Sequence, residues 1–337
     1  MAAFATRNDS LFEAYDGGNP DRAALPDPDT LFEIGSLTKV FTAILLAKLA
    51  LDGRIGLDAP ISEIMPEFTQ APAWITPRAL STHMSGLPRL PISLLDRRAW
   101  CFYFPQSRLN PYPEFSEDDL LAWIRVYRAG RRSQAGRFHY SNLGVGLLGL
   151  ILGRLCGGSY EDALEREVLD PMGLKDTCIS LTPDQASRFA PPLRRNGSEA
   201  PVWDFRGLVG AGALRSSARD LVQFGRAVIL SVDGEGPLGA PIRKTLQIQE
   251  AGRRPFEPGI CLGWSVLPEM VSETPIYNHD GATFGSMSTF FVCPGAGFLI
   301  FALANRGPTL MTPIKQIRSN PAGLMREIVA AFAASQG

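Results

Sequence analysis

The sequence predicts an α+β protein whose antiparallel sheet is assembled from both ends of the chain and flanked by helices, with a mainly helical region inserted between them. Two observations carry this. Strand-like apolar runs lie at Ala3 to Tyr15 and again after Gly259, where they are short and separated by Gly and Pro as in an antiparallel meander. Between Pro60 and about Val232 the apolar residues instead recur at helical spacing. No internal repeat or low-complexity linker separates the parts, so they should pack as one unit. The expected division is a discontinuous sheet domain from residues 1–58 and 236–337 and a helical domain from 59–235, with the active site between them.

Each element has its own signal. Ala3 to Tyr15 reads as a strand pair, and a helix opening at Ser36 runs to the stop signal Asp52-Gly53. Its stretch from Val40 to Leu51 is the longest apolar run, too short to span a bilayer and interrupted by Lys48, so it reads as a buried helix. Further helices are expected at Asp118 to Ala129, Leu143 to Cys156, Tyr160 to Leu169 and Ser217 to Leu230, the last opened by the capping box Ser217-Ala218-Arg219-Asp220. Leu262 to Leu267, Ile276 to Asn278, Met287 to Cys293 and Phe298 to Asn305 read as strands, and Ala322 to Ala334 as a closing amphipathic helix.

Composition narrows the function. The chain has 337 residues, 45% of them hydrophobic, which is ample for a core, and its net charge of −1 offers no basic surface for nucleic acid. Met1 to Arg7 lacks the charged and apolar regions of a signal peptide; the expectation is cytoplasmic, or periplasmic or secreted if an upstream segment precedes it. The five cysteines are scattered without a C-x-x-C, which favours reduced thiols. The three histidines share no ligand spacing, so neither a metal nor an organic cofactor is expected, and His83 and His139 read as structural.

The chemistry begins at Gly35, where Ser36-Leu37-Thr38-Lys39 places a hydroxyl and an amine on one helical face. A serine is a poor nucleophile at neutral pH, and burial of the lysine among apolar neighbours lowers its pKa and makes it a base. A backbone N–H at the start of the helix is free to stabilise an oxyanion. Tyr140-Ser141-Asn142 follows about a hundred residues on, before the glycine-rich apolar run Leu143 to Gly149, and His279-Asp280-Gly281 lies between strand-like runs near the C-terminus.

This order of motifs resembles the penicillin-recognising serine hydrolases, namely DD-carboxypeptidases, class C β-lactamases and family VIII esterases, whose motifs read S-x-x-K, Y-x-N and K-T-G or H-x-G. Thr82 to Pro88, Leu169 to Thr177, Gly210 to Leu214 and Ala302 to Arg306 read like the family at the expected places, so the resemblance covers nearly the whole chain. It implies a β-lactamase/DD-peptidase-like fold and a serine hydrolase acting through an acyl-Ser36 intermediate. In that scheme Ser36, Lys39 and Tyr140 are catalytic, the last as a phenolate biased by a neighbouring lysine ammonium. Asn142 steadies Lys39 and the substrate, the backbone N–H of Ala282 is the second oxyanion donor, and Gly281 keeps the wall clear. His279, in place of the family lysine, either carries charge or passes protons, with a pH dependence near neutrality.

Asp280 departs from the pattern. Relatives place Thr or Gly there, and an anion should repel a substrate carboxylate, unless Asp280 turns away into a local hydrogen bond. An ester or a non-peptidoglycan amide is therefore the preferred small-molecule substrate, its acyl group passing to water or to another acceptor; a DD-peptidase, penicillin-binding protein or β-lactamase is the alternative, and a catalytically silent binding protein a remote one. The segment from Pro88 to Phe115 is rich in Pro and aromatics, among them Trp100, Phe102, Tyr103, Phe104 and Tyr112. It is expected either to wall the acyl pocket together with Trp203 and Phe205, or to be a loop that these rings anchor. Gly144-x-Gly146-x-x-Gly149 matches a dinucleotide fingerprint but lacks the preceding apolar strand, so close helix packing is the reading for these glycines. No G-x-S-x-G occurs, which removes an α/β-hydrolase elbow.

Overall fold

The computed structural model describes residues 2–6, 11–14, 25–91, 115–127, 135–194, 196–252, 257–267 and 274–307. The expected closing helix at Ala322 to Ala334 and the aromatic cluster from Trp100 to Tyr112 lie outside them.

The strands are β1 (Ala2–Thr6), β2 (Leu11–Ala14), β3 (Leu31–Glu33), β4 (Arg215–Ser217), β5 (Gly259–Ile260), β6 (Ser265–Val266), β7 (Tyr277–Ala282), β8 (Met287–Cys293) and β9 (Phe298–Ala304). Seven of them form one antiparallel sheet in the order β2-β1-β9-β8-β7-β6-β5, and β3 pairs with β4 alone. The two chain ends meet where β1 runs against β9, with Ala2 opposite Ala302 and Thr6 opposite Phe298. Alternation gives the sheet two faces: Phe290, Val292, Leu299, Phe301 and Leu303 are buried on the inner one, while Thr289, Phe291, Ile300 and Ala302 are half-buried on the outer one. The strand predicted at Leu262 to Leu267 is instead two short strands, β5 and β6, joined by a turn through Gly263, which has a φ of +71°.

Behind the inner face lies α1 (Thr38–Leu51), buried almost all round as a core helix should be. A 3-10 turn, Gly35–Leu37, precedes it, so Ser36 sits in that turn rather than in the helix. The other long helices are α2 (Glu117–Val126), α3 (Asn142–Leu155) and α4 (Ala218–Ser231), with the shorter α5 (Gly239–Thr245). Ser141 caps α3 by accepting from the Gly144 N–H at 2.9 Å. At α4 only half of the expected capping box forms: Ser217 accepts from the Asp220 N–H, but the Asp220 carboxylate accepts from Thr177 Oγ1 and the Asp176 N–H, both at 2.8 Å. The helix predicted from Tyr160 to Leu169 ends at Leu164 and continues as a wider π turn over Glu165–Leu169.

The glycines of α3 serve close packing. A Cβ on Gly146 would lie 2.4 Å from Leu208 Cδ2, and one on Gly149 would lie 3.0 Å from the Cα of Gly210, so the turn Arg206–Ala211 rests directly on the helix. Helix α4 lies against β1, β8 and β9. Its Phe224 ring is 4.6 Å from Phe41 of α1 and 5.4 Å from Phe290 of β8, centroid to centroid. Helix and sheet residues share one core cluster that runs from Phe32 to Leu303.

Candidate active site

Ser36, Lys39 and Tyr140 converge. Lys39 Nζ lies 2.9 Å from Ser36 Oγ, and the Tyr140 hydroxyl donates to the same oxygen at 2.7 Å. Four elements make this meeting. The 3-10 turn and the first turn of α1 bring serine and lysine to one side, Tyr140 arrives just ahead of the α3 cap, and the Arg206–Ala211 turn closes the floor. The turn's last carbonyl, Ala211 O, accepts from Lys39 Nζ at 2.5 Å, and its neighbour Gly210 O accepts from Thr42 Oγ1 at 2.7 Å. The glycine contacts of α3 thus fix the partner of the Lys39 amine.

Burial sets the protonation of this group. Lys39 is 1% exposed, and loss of water, aided by the Arg89 charge, holds its pKa well below the ordinary lysine value. Tyr140 is pushed up to about 12 by burial, which outweighs the opposing hydrogen bond to Ser36 and the Arg89 charge. Burial thus disfavours the Lys39 ammonium and keeps Tyr140 a phenol near neutral pH, against the phenolate that the resemblance implied.

Strand β7 crosses the nucleophile turn at contact distance. A Cβ on Gly281 would lie 1.9 Å from the Ile34 carbonyl oxygen, which Ser288 Oγ bonds at 2.8 Å. Gly281 is therefore required by the approach of the turn behind it, rather than for clearing the substrate wall. Gly35, at a φ of +52°, faces the other way: its Cβ would be 2.8 Å from Ala282 N, which sets the Ala282 peptide beside the Ser36 turn. Glu33, 4% exposed, fastens the same junction by accepting from the Trp203 N–H at 2.7 Å and from Thr283 Oγ1 at 2.6 Å. Burial raises its pKa, and those two hydrogen bonds oppose the rise.

The remaining candidates divide by strand face. His279 Nδ1 faces the Asp280 carbonyl at 2.8 Å; a carbonyl only accepts, so Nδ1 carries the proton and Nε2 is an acceptor. Burial, with Lys39 nearby, lowers its pKa to about 3, so the expected titration near neutrality does not belong to this residue. Asp280 takes the local bond: Thr289, its cross-strand partner, donates Oγ1 to the carboxylate at 2.5 Å on the outer sheet face. The exposed carboxylate still lines the cleft rim, and loss of part of its water raises its pKa. Asn142 is 5% exposed at the first position of α3 and lies behind the cleft lining.

The cleft itself measures about 660 Å3 and is bordered by Ser36, Arg89, Phe138, Tyr140, Trp264 and the β7 residues Asn278 to Ala282, among others. Trp203 and Phe205 do not wall it. They are buried and pack edge to face on each other at 5.4 Å. His83 backs the site: its ring is 4.4 Å from Tyr140, and Nδ1 accepts from the Ser141 N–H at 3.2 Å. Arg89 was not singled out in the sequence; its guanidinium lies 5.2 Å from the Tyr140 ring centre. Among the described residues no group of three or more His, Cys, Asp or Glu converges to hold a metal, and no single helix is long and apolar enough to cross a membrane.

Comparison with known proteins now decides the family: the profile described as Beta-lactamase matches residues 1–319. The chain belongs to the β-lactamase family. It is 29% identical over 298 residues to penicillin-binding protein 4 of Amycolatopsis lactamdurans, covering 83% of this chain and 73% of that protein. It is 26% identical to the D-alanyl-D-alanine-carboxypeptidase/endopeptidase AmpH of Escherichia coli K12, covering 95% and 82%. A class C β-lactamase from Rhodobacter sphaeroides superposes with a TM-score of 0.77 at 22% identity, over 97% of this chain and 94% of that one. The α+β fold of this β-lactamase-family enzyme is thus shared with class C β-lactamases, and its class of chemistry is that of the serine hydrolases.

Proposed function

We propose that this β-lactamase-family enzyme hydrolyses an ester or amide through an acyl-Ser36 intermediate, with neutral Lys39 as the base. The carrying observation is the chain of hydrogen bonds at Ser36. Tyr140 donates to Ser36 Oγ, the Ser36 hydroxyl is within reach of the Lys39 lone pair, and Lys39 donates to Ala211 O. On attack Lys39 takes the serine proton, and the Ser36 and Ala282 N–H groups meet the developing oxyanion. Tyr140 gives its proton to the leaving oxygen or nitrogen, and the phenolate so formed is stabilised by the new Lys39 ammonium and by Arg89. Water then returns a proton to Tyr140 as it attacks the acyl carbonyl, and Ser36 recovers its own from Lys39.

Asp280 and neutral His279 make the β7 rim anionic without a compensating cation, which favours an ester or amide that is neutral, or carries an amine, at that end. The names of the relatives, with Arg89 in the cleft, favour the second reading, a penicillin-binding or D-alanyl-peptidase activity. Intact-mass time courses of wild type, Ser36→Ala and Asp280→Asn with 4-nitrophenyl butyrate and with benzylpenicillin distinguish them. The expected result is an acyl adduct from the neutral ester on wild type and none on Ser36→Ala, with poor penicillin capture that improves in Asp280→Asn. Rapid wild-type acylation by benzylpenicillin supports the second reading, and adducts on Ser36→Ala overturn both.

A further inference from the structure

The cleft has a charge polarity that follows from where its side chains are anchored. On the β7 rim stands the Asp280 carboxylate, held by Thr289. On a different element, a segment bonded to the one that carries Tyr140, stands Arg89, which is exposed and reaches over the Tyr140 ring. Among the described residues that line the cleft, Arg89 is the one arginine or lysine, and no ion pair is found for it there. Its backbone is stapled in place: the Arg89 carbonyl accepts from the N–H groups of Asn142 and Leu143, at 3.1 and 3.2 Å, and Ser141 Oγ donates to the Pro88 carbonyl at 2.7 Å. The residue therefore moves with the Tyr140 segment and keeps a fixed relation to Ser36.

We infer that Arg89 is a specificity-determining residue that binds a carboxylate of the substrate beside Tyr140 rather than on β7. The inference rests on the Ser36 reading and names the substrate class: an acyl donor whose anionic end lies away from Asp280, such as a half-ester or half-amide of a dicarboxylic acid. Arg89 supplies the planar, two-pronged donor that suits a carboxylate, whereas the candidate on β7, His279, is neutral and offers Nε2 as an acceptor. Asp280 excludes the reverse orientation, because it would bring two carboxylates together.

The test pairs catalysis with binding. For 4-nitrophenyl hydrogen glutarate and 4-nitrophenyl butyrate, the ratio of kcat/KM values should fall at least about tenfold in Arg89→Met and only in part in Arg89→Lys, the loss of one charge-assisted contact. An unchanged ratio overturns the inference and leaves the Ser36 reading intact. Wild type that neither turns over nor forms a Ser36 adduct with either ester overturns the Ser36 reading instead. Titration of the Ser36→Ala protein with monomethyl glutarate stands apart from turnover. Its Kd should rise about tenfold when Arg89→Met is added, and the Arg89 protein should lose affinity as salt is raised. No binding, or binding indifferent to Arg89, overturns the inference whatever the kinetics show.

Discussion

The fold withholds water from Lys39, which suits the base that the proposed mechanism requires. An ordinary lysine titrates at 10.5, and in the folded protein burial holds Lys39 well below that. The sign of the resulting pH dependence is fixed. Acylation should rise with pH as Lys39 loses its proton, then stay level, because Tyr140 does not ionise until about 12. His279, at about 3, contributes no inflection near neutrality. Single-turnover acylation by a neutral ester across the pH range checks this; a second inflection near 6.5 would show that His279 titrates after all. Between the lowered Lys39 value and 10.5 the unfolded chain holds more protons than the folded one, so the Lys39 contribution to stability grows with pH through that window and is weakest below it. Lys39→Arg keeps a charge but cannot give up its proton, so acylation should fall by about two to four orders of magnitude, as for loss of a general base.

At the scale of elements, the site depends on how closely β7 lies on the nucleophile turn. Gly281 allows Ile34 O to approach within the space a methyl group would fill, while Glu33 ties the turn to Thr283 just past β7 and Ser288 of β8 bonds Ile34 O. Gly281→Ala should therefore push β7 off the turn, costing about 1–3 kcal/mol as overpacking does and moving Ala282 N–H from Ser36. Denaturant melts read the first effect and acylation rates the second; a stable variant of full activity would mean that the turn has room to retreat. The contrast also shows what was legible in the sequence. The S-x-x-K spacing, the apolar runs of β8 and β9, and the glycine-rich run of α3 are local signals: the first became the Ser36–Lys39 contact, the second strands, and the third a close helix contact. Ala211 O was not legible, since a backbone carbonyl leaves no side-chain signature. Asp220 read as a local cap, but a tertiary partner, Thr177, took its carboxylate. The Tyr140 phenolate was misjudged because spacing names a neighbour but not the burial that decides its charge.

At the scale of the molecule, helices and sheet share one main core cluster among the described residues. Phe224 of α4 is fully buried between Phe41 of the helix that carries Lys39, Trp264 at the β6 edge of the cleft, and Phe290 on the inner face of the sheet. Because Trp264 lines the cleft and Phe41 lies two residues past Lys39, this contact couples the cleft walls to the packing behind them. A chain of this length built as two independent lobes would unfold in two steps, with far-UV circular dichroism and tryptophan fluorescence reporting different midpoints. A single continuous core predicts coincident midpoints by both probes, and loss of Ser36 acylation at the same denaturant concentration. Phe224→Ala should lower that shared midpoint by the equivalent of about 3–5 kcal/mol, the usual cost of removing a buried phenylalanine, without splitting the transition. Separate midpoints in the wild type, or a variant in which only the sheet signal moves, would show instead that the helical region folds on its own and that the cleft is an interface between two cores.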